Sequence, residues 1–146
     1  MTGAGVTDPA EERPCFVAAV VVVILRGDRI LAMRRSPMKD AAPGAWEAIS
    51  GRIRPGEQPL EAAIREAREE TGLTPRIDPD PIAAYQAKRK TDDMIVVAFR
   101  ACSDSGDVTR SEEHDAHAWM TLEEFADACP FPLLVGATRR ALTERG

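Results

Sequence analysis

The chain has 146 residues, of which 44% are hydrophobic, and it carries a formal net charge of −5 at pH 7. This length and composition are typical of one globular domain, and the acidic balance argues against binding a nucleic-acid polymer through its phosphate backbone. No apolar run is long enough to span a bilayer, so the sequence predicts no membrane partner.

Residues 1–14 are small, acidic and proline-bearing, and we interpret them as a flexible tail ahead of a single domain at residues 15–146. They lack the basic and then apolar pattern of a signal peptide. The three cysteines, Cys15, Cys102 and Cys129, are odd in number and far apart in the sequence. Such spacing is typical of reduced thiols, which predicts a cytoplasmic protein.

The first predicted elements form a β-hairpin. The β-branched run Phe16–Leu25 predicts a strand that is buried on both faces. A turn follows at Arg26–Arg29, and Ile30–Arg34 returns as the second strand. Arg34 and Arg35 close this hairpin, either as solvated arginines or, as we predict, as contacts for substrate phosphates at the mouth of a site.

A loop and a short helix occupy residues 51–73. Pro59 suits the first helical turn, because its missing N–H would be unpaired there, and Gly72 suits the left-handed position just after the last turn. An apolar stripe recurs at helical spacing and predicts the face that packs on a sheet. The residues of that stripe are Leu60, Ala63, Ile64 and Ala67.

The same helix carries three carboxylates at spacings of three and four residues, Glu66, Glu69 and Glu70. Side chains at these spacings project from one side of a helix, where like charges repel each other. A divalent cation removes that repulsion, and hard cations such as Mg²⁺ prefer carboxylate oxygens. A solvated acidic surface helix is the alternative, and the glycine loop in front favours the cation site.

Two further strands are predicted at Ile82–Lys88 and Met94–Ala101. The polar stretch at residues 88–93 between them is interpreted as an exposed charged tip, with contact of its basic cluster to phosphates as the alternative. A Gly/Asp/Ser loop follows at Ser103–Arg110. A later strand, which contains Trp119, follows a Glu-His step.

The chain is predicted to end in two helices. Thr121 begins the first, with Glu124 three residues later in a capping box. The second is predicted at Pro132–Glu144, and its inward residues are expected to be Leu133, Leu134, Ala137 and Leu142. His114 and His117 lack a metal-binding partner at convincing spacing, so a structural or surface role is predicted for both.

Eight residues of the loop and the acidic helix match, in order and spacing, the signature of the Nudix hydrolase superfamily, and the chain resembles its MutT-like pyrophosphohydrolases. The eight residues are Gly51, Glu57, Arg65, Glu66, Glu69, Glu70, Gly72 and Leu73. Ala67 stands where the family has a larger aliphatic residue, a departure that concerns packing. The resemblance implies an α/β fold of the α+β kind, a Nudix-type α/β/α sandwich with a mixed β-sheet.

The resemblance also implies the roles of individual residues. Mg²⁺ or Mn²⁺ would be held by the carboxylates Glu66, Glu69, Glu70 and Glu113 and by the main-chain carbonyl of Ser50. The residues implied as catalytic are Glu69, Glu70, Glu113 and Arg65, with Glu112 as the alternative to Glu113. Gly51, Glu57 and Gly72 would shape and brace the loop. Trp46 is expected in the core rather than as a platform for a base.

The implied activity is hydrolysis of a diphosphate linkage in a nucleoside diphosphate joined to a moiety X, giving a nucleoside monophosphate and X-phosphate. Cations neutralise the phosphates, and a carboxylate accepts the proton of the attacking water. The partner would be a small nucleotide or nucleotide derivative, and the resemblance allows a homodimer. Two alternatives are a non-catalytic nucleotide-sensing module and an isomerase of an isoprenyl diphosphate; the intact signature favours hydrolysis. Markers of particular substrates are mostly absent.

Overall fold

A single long strand, β1 (Val17–Arg26), lies at the centre of the sheet. The structure is a computed structural model that describes residues 13–39 and 41–143. β1 runs parallel to β7 (Asp92–Cys102) and antiparallel to both β2 (Arg29–Arg35) and β4 (Ile49–Arg52). All of its residues from Ala19 to Leu25 are buried, which confirms the prediction of a strand covered on both faces.

Four shorter strands extend the sheet on both sides of this centre. β3 (Trp46–Glu47) and β8 (His114–Met120) both pair with β2, while β5 (Arg76–Ile77) and β6 (Ala83–Arg89) both pair with β7, all antiparallel. Because the β1–β7 pair is parallel and the other pairs are antiparallel, the eight-stranded sheet is mixed, as predicted.

Helices cover both faces of the sheet. Alternate residues of β1 point to opposite faces, so Val22 belongs to the apolar cluster that includes Ala63 of α1 (Pro59–Thr71). Val23 belongs to the cluster formed with α2 (Leu122–Ala128) and α3 (Pro132–Thr143). This arrangement of helix, mixed sheet and helices confirms the predicted three-layer α/β/α sandwich.

The bounds of the helices follow local chemistry closely. α1 begins at Pro59 and ends at Thr71, and Gly72 takes the left-handed conformation with φ 71°. The backbone N–H of Gln58 donates to Glu61 Oε1 at 2.8 Å, which caps the first turn. α2 begins after Thr121, with the predicted capping box to Glu124 in place.

The face that α1 turns to the sheet matches the prediction except at Ile64. Ala63 and Ala67 are buried and Leu60 packs against the same apolar cluster, as predicted. Ile64 is 43% exposed, whereas Glu66 and Glu70 are buried. The helix buries the small residues Ala62, Ala63 and Ala67 against the sheet, and two of the three carboxylates are buried with them. The prediction for Ile64 is therefore wrong, and the acidic face of α1 is partly buried.

Two other predictions are corrected. Leu133 is 55% exposed, whereas Leu134 and Ala137 are buried and Leu142 is partly buried, as predicted; α3 also buries Thr138 and Ala141. The polar tip between β6 and β7 is a two-residue turn at Lys90 and Thr91, since the strands extend farther than predicted. Most of the predicted tail and residue Glu144 lie outside the described residues. Within the described ranges, no helix is both long and apolar enough to cross a membrane.

Candidate active site

Arg65 joins the loop before α1 to the acidic face of the helix. Its Nε and Nη2 donate to the two carboxylate oxygens of Glu57 at 2.8 and 2.9 Å, and Nη2 also donates to the carbonyl oxygen of Arg52 at 3.0 Å. Its Nη1 donates to Glu66 Oε1 at 2.6 Å and to Glu69 Oε2 at 3.4 Å. The guanidinium therefore fixes loop and helix together, and the pKa of Glu57 falls to about 2 chiefly because Arg65 donates to it.

Gly51 lies directly against the carboxyl group of Glu66. A Cβ atom at position 51 would overlap Cγ, Cδ and Oε1 of that side chain. Only glycine leaves this space. The side chain of Glu66 therefore lies between its own helix, α1, and β4, and the residue is 8% exposed. Burial raises the pKa of Glu66, although Arg65 opposes that shift. A buried carboxylate of this kind is stabilised in its charged form by a bound cation.

Glu70 ends a row of four buried side chains, Arg35, Glu47, His114 and Glu70, which we call the buried row. Arg35 Nη1 donates to Glu47 Oε2 at 3.1 Å, His114 Nε2 lies 2.9 Å from Glu47 Oε2, and His114 Nδ1 lies 2.9 Å from Glu70 Oε2. The charges alternate along the row. Such pairing offsets the cost of burying each charge.

The buried row corrects the prediction that Arg35 contacts substrate phosphates. Arg35 is 3% exposed, and its guanidinium is held by Glu47 and by the carbonyl oxygen of Ala41. Its neighbour Arg34 is more exposed, and its Nε donates to Asp115 Oδ1 at 2.8 Å. Arg34 also lies over the ring of Trp46, which is half-buried and packs against the core.

Glu113 faces the acidic helix from the loop that precedes β8. Lys39 Nζ donates to Glu113 Oε1 at 3.2 Å, and the Glu113 carbonyl accepts from the backbone N–H of Ser36 at 2.9 Å. Ser111 Oγ, from the same loop, donates to Glu70 Oε2 at 3.1 Å. Hydrogen bonding with Glu70 and Lys39 lowers the pKa of Glu113, which stays charged.

Most of these side chains line one cavity of about 720 Å³, to which the described residues contribute equal numbers of acidic and basic side chains. The acidic residues are Glu47, Glu66, Glu69, Glu70, Glu112 and Glu113. The basic residues are Arg35, Lys39, Arg52, Arg54, Arg65 and Arg89. Ser50 and Gly51 form part of its floor. A site with both charges accommodates cations together with anionic phosphates.

The donor set of this cavity fits a hard divalent cation, because its oxygens are carboxylates. Among the described residues, no three His, Cys, Asp or Glu side chains already converge as a metal-binding group. Arg65 holds Glu66 and Glu69 in their present positions, and Glu69 is half exposed. Cation binding would therefore replace the Arg65 contacts on these two carboxylates.

The sequence did not predict that Glu47, Lys39 and Ser111 belong to this site, and it assigned His114 only a structural or surface role. Glu47 lies 67 residues before His114 in the chain, so no local spacing could show their contact. The Glu113-His114 step could be seen in the sequence. Its contact with the acidic helix could not be assigned, because it depends on the pairing of β8 with β2.

We expect the metal-free protein to lose stability as the pH rises from about 6.5 to about 9. Burial alone would lower the pKa of His114, but Glu47 and Glu70 outweigh it and raise the pKa from 6.5 to about 9. The stabilisation by protonated His114 is fully present below its pKa in the unfolded chain. It is lost as the pH rises through its higher pKa in the folded protein. Burial also raises the pKa of Glu70, from 4.5 to about 7, so its contribution has the same sign but is lost mostly below this range.

Urea unfolding in EDTA at pH 6.5 and pH 9 measures this decline in the free energy of unfolding. His114→Asn, which cannot ionise in this range, should show a smaller decline. An equal decline in wild type and variant would contradict the assignment of the effect to His114.

Comparison with known proteins agrees with this geometry. The family model of the NUDIX domain matches residues 16–141. An octanoyltransferase of Myxococcus xanthus is 33% identical over 135 residues, and the match covers 88% of this chain but 37% of that protein. The nucleoside triphosphatase NudI of Klebsiella pneumoniae is 35% identical over 114 residues, which cover 71% of this chain and 78% of that protein.

The fold has solved counterparts as well. The crystal structure of a MutT protein from Methanosarcina mazei Go1 superposes with a TM-score of 0.77 at 25% identity, and covers 88% of this chain and 94% of that one. The family match spans most of the chain, and the matching structure has the same layered fold. The chain therefore belongs to the Nudix hydrolase superfamily, as its loop and acidic helix predict.

Proposed function

We propose that the chain is a hydrolase that depends on Mg²⁺ or Mn²⁺ and cleaves a nucleoside diphosphate joined to a moiety X into a nucleoside monophosphate and X-phosphate. The observation that carries this proposal is the meeting of Glu66, Glu69, Glu70 and Glu113 in one cavity that also holds six basic side chains. Similarity to a relative named nucleoside triphosphatase supports a nucleotide substrate.

The proposed mechanism assigns separate tasks to the side chains of the cavity. A bound divalent cation supplies charge neutralisation and lowers the pKa of water. Glu66, Glu69, Glu70 and the carbonyl of Ser50 would hold it. Glu113 is charged, because hydrogen bonds with Glu70 and Lys39 lower its pKa, and its carboxylate is suited to accept the proton of the attacking water.

Three basic residues of the cavity, Arg52, Arg54 and Arg89, are suited to orient the substrate's phosphates. Arg52 and Arg54 are largely exposed at the rim, where they can contact the outer phosphate oxygens. Arg89 is partly buried beside Arg35 and Arg52. Its pKa is lowered, chiefly by burial and further by the like charges of these two arginines. An anionic phosphate relieves that repulsion, so Arg89 is the residue best placed to fix the phosphate nearest the core.

A second cavity of about 450 Å³ adjoins the first and is suited to the organic part of the substrate. Glu47, Ser50, Gly51, Arg52 and Arg89 line both cavities. The remaining wall is mostly apolar and includes Tyr85, Met94, Val96, Phe131 and Leu133. An apolar wall with a few polar groups is typical of sites for flat organic ligands such as nucleobases.

We expect Leu133→Ser to raise KM about tenfold, because burying a leucine side chain contributes about 1.5 kcal/mol or more. The kcat should change little, since Leu133 lines the second cavity and not the acidic one. Steady-state kinetics on the accepted nucleotide measures this. Ile64→Ser is the matched control, because Ile64 is similarly exposed on α1 and lines neither cavity. Equal KM values for Leu133→Ser and wild type would contradict the placement of the substrate.

A substrate panel with Mg²⁺ tests the proposed function itself. The panel contains nucleoside triphosphates, oxidised purine triphosphates, ADP-ribose, dinucleoside polyphosphates and a pterin triphosphate. Turnover of one member, abolished by EDTA, supports the hydrolase. Tight binding without turnover across the panel would instead favour the nucleotide-sensing module. The cytoplasmic location and the homodimer stay predictions.

A further inference from the structure

The buried row reaches from the sheet to the edge of the proposed catalytic cavity. Its side chains are 3–5% exposed, and they come from β2, β3, β8 and α1. Glu47 already receives two contacts from Arg35 Nη1, at 3.1 and 3.3 Å. Arg35 therefore compensates the charge of Glu47 without help, and the buried pair would be complete without a third member.

His114 adds a contact that this pair does not need. Its Nε2 reaches Glu47, while its Nδ1 lies 2.9 Å from Glu70 Oε2 on the acidic helix. The Nδ1 contact is short but lacks the direction of a hydrogen bond, so Nδ1 has no aligned partner among the described residues. The imidazole thus spans from a completed ion pair to a carboxylate of the catalytic cavity.

Ser111 and His114 both approach the same carboxylate oxygen of Glu70. Ser111 Oγ donates to Oε2 at 3.1 Å, and His114 Nδ1 approaches Oε2 at 2.9 Å. The Glu70 carboxyl also hydrogen-bonds Glu113, and a bound cation would take the place of that shared proton. Fixing one oxygen of a carboxylate orients the other and removes rotational freedom that cation binding would otherwise have to restrict.

We propose that His114 is a positioning residue: with Ser111 it fixes Oε2 of Glu70, so that Oε1 is presented to the cation and the reacting water. This inference rests on the proposed function. It assigns to His114 a task distinct from holding the sheet together. Glu47 and Arg35 in turn fix the imidazole ring, because they hold Nε2 in place.

Two conservative variants test the Nδ1 contact with Glu70 and the Nε2 contact with Glu47 separately. The amide nitrogen of asparagine falls near the position of Nδ1, and that of glutamine falls near Nε2. His114→Asn keeps a donor toward Glu70, whereas His114→Gln keeps one toward Glu47. We expect His114→Gln to lower kcat and weaken Mn²⁺ binding by about 10–100-fold, as for other residues that support metal ligands. His114→Asn should retain most of both.

Ser111→Ala removes the other contact on Oε2, together with the acceptor of the Glu113 backbone N–H, and leaves the buried row intact. We expect it to lower kcat and Mn²⁺ affinity in the same direction, with KM nearly unchanged. This variant keeps the test decisive where a His114 variant fails to fold. His117→Asn, on the same strand but bonded to Arg110, serves as the control and should match wild type.

Mn²⁺ affinity is measured by calorimetry on the full chain, beside thermal unfolding of each variant. Equal loss in His114→Asn and His114→Gln, or a Ser111→Ala variant identical to wild type, would overturn the positioning role. If wild type turns over no member of the panel, the proposed function fails, yet the order of Mn²⁺ affinities among the variants still decides the role of His114.

Discussion

Glu70→Gln is expected to lower kcat by about 10³-fold, because a bound cation contributes several kcal/mol of transition-state stabilisation and Glu70 would help to hold it. Glu70 is buried on the acidic helix and is fixed through Oε2 by Ser111 and His114. The amide keeps the volume of the side chain, and its oxygen still accepts from Ser111. It cannot carry the negative charge that attracts a cation, so the loss should appear in kcat and in Mn²⁺ affinity, with little change in folding.

Glu61→Gln is the matched control for that measurement. Glu61 lies on the same helix, is exposed and caps Gln58. Glutamine serves at this capping position as well as glutamate does. Activity should therefore match wild type. A Glu70→Gln variant that retained more than about a tenth of the wild-type kcat would place the chemistry on another carboxylate.

Gly51→Ala is expected to lower kcat/KM by about 10²-fold, because a displacement near 1 Å at a reacting group can cost that much. The new Cβ would overlap the carboxyl group of Glu66. Either Glu66 leaves its place between β4 and α1, or the two elements move apart at a cost of about 1–3 kcal/mol. Both outcomes disturb the acidic cavity, and kinetics together with urea unfolding distinguishes them.

Gly136→Ala provides the same substitution where space is available. Gly136 lies within α3, and a Cβ atom there meets nothing within 4 Å. Alanine should stabilise this helix by about 0.5–1 kcal/mol and leave activity unchanged. If Gly51→Ala were as active as Gly136→Ala, the close approach of Gly51 to Glu66 would not be required for activity.

The elements governed by local chemistry were predictable from the sequence. Pro59 and Gly72 set the ends of α1, and the β-branched run of β1 gave a strand covered on both faces. The direction in which α1 faces the sheet was less predictable. Apolar spacing favoured Ile64, which is 43% exposed, whereas Ala62, on the other side of the predicted Ala63, is fully buried.

The residues that surround the catalytic carboxylates depend on tertiary structure and were mostly missed. Arg35 looked like an exposed phosphate contact because it ends a strand, yet β3 brings Glu47 beside it and buries both. His114 reaches Glu70 only because β8 pairs with β2. No spacing along the chain encodes such contacts, whereas the carboxylates at helical spacing on α1 were visible directly.

The most direct test of the central claim is to identify the products formed from the accepted panel member with Mg²⁺ in ¹⁸O-labelled water. Mass spectrometry should show a nucleoside monophosphate and a second phosphate-containing product, with one ¹⁸O atom at the cleaved linkage. EDTA and Glu70→Gln should both suppress the reaction. Binding without any labelled product, or labelled orthophosphate released from the terminal phosphate alone, would contradict hydrolysis of the inner diphosphate linkage by this acidic cavity.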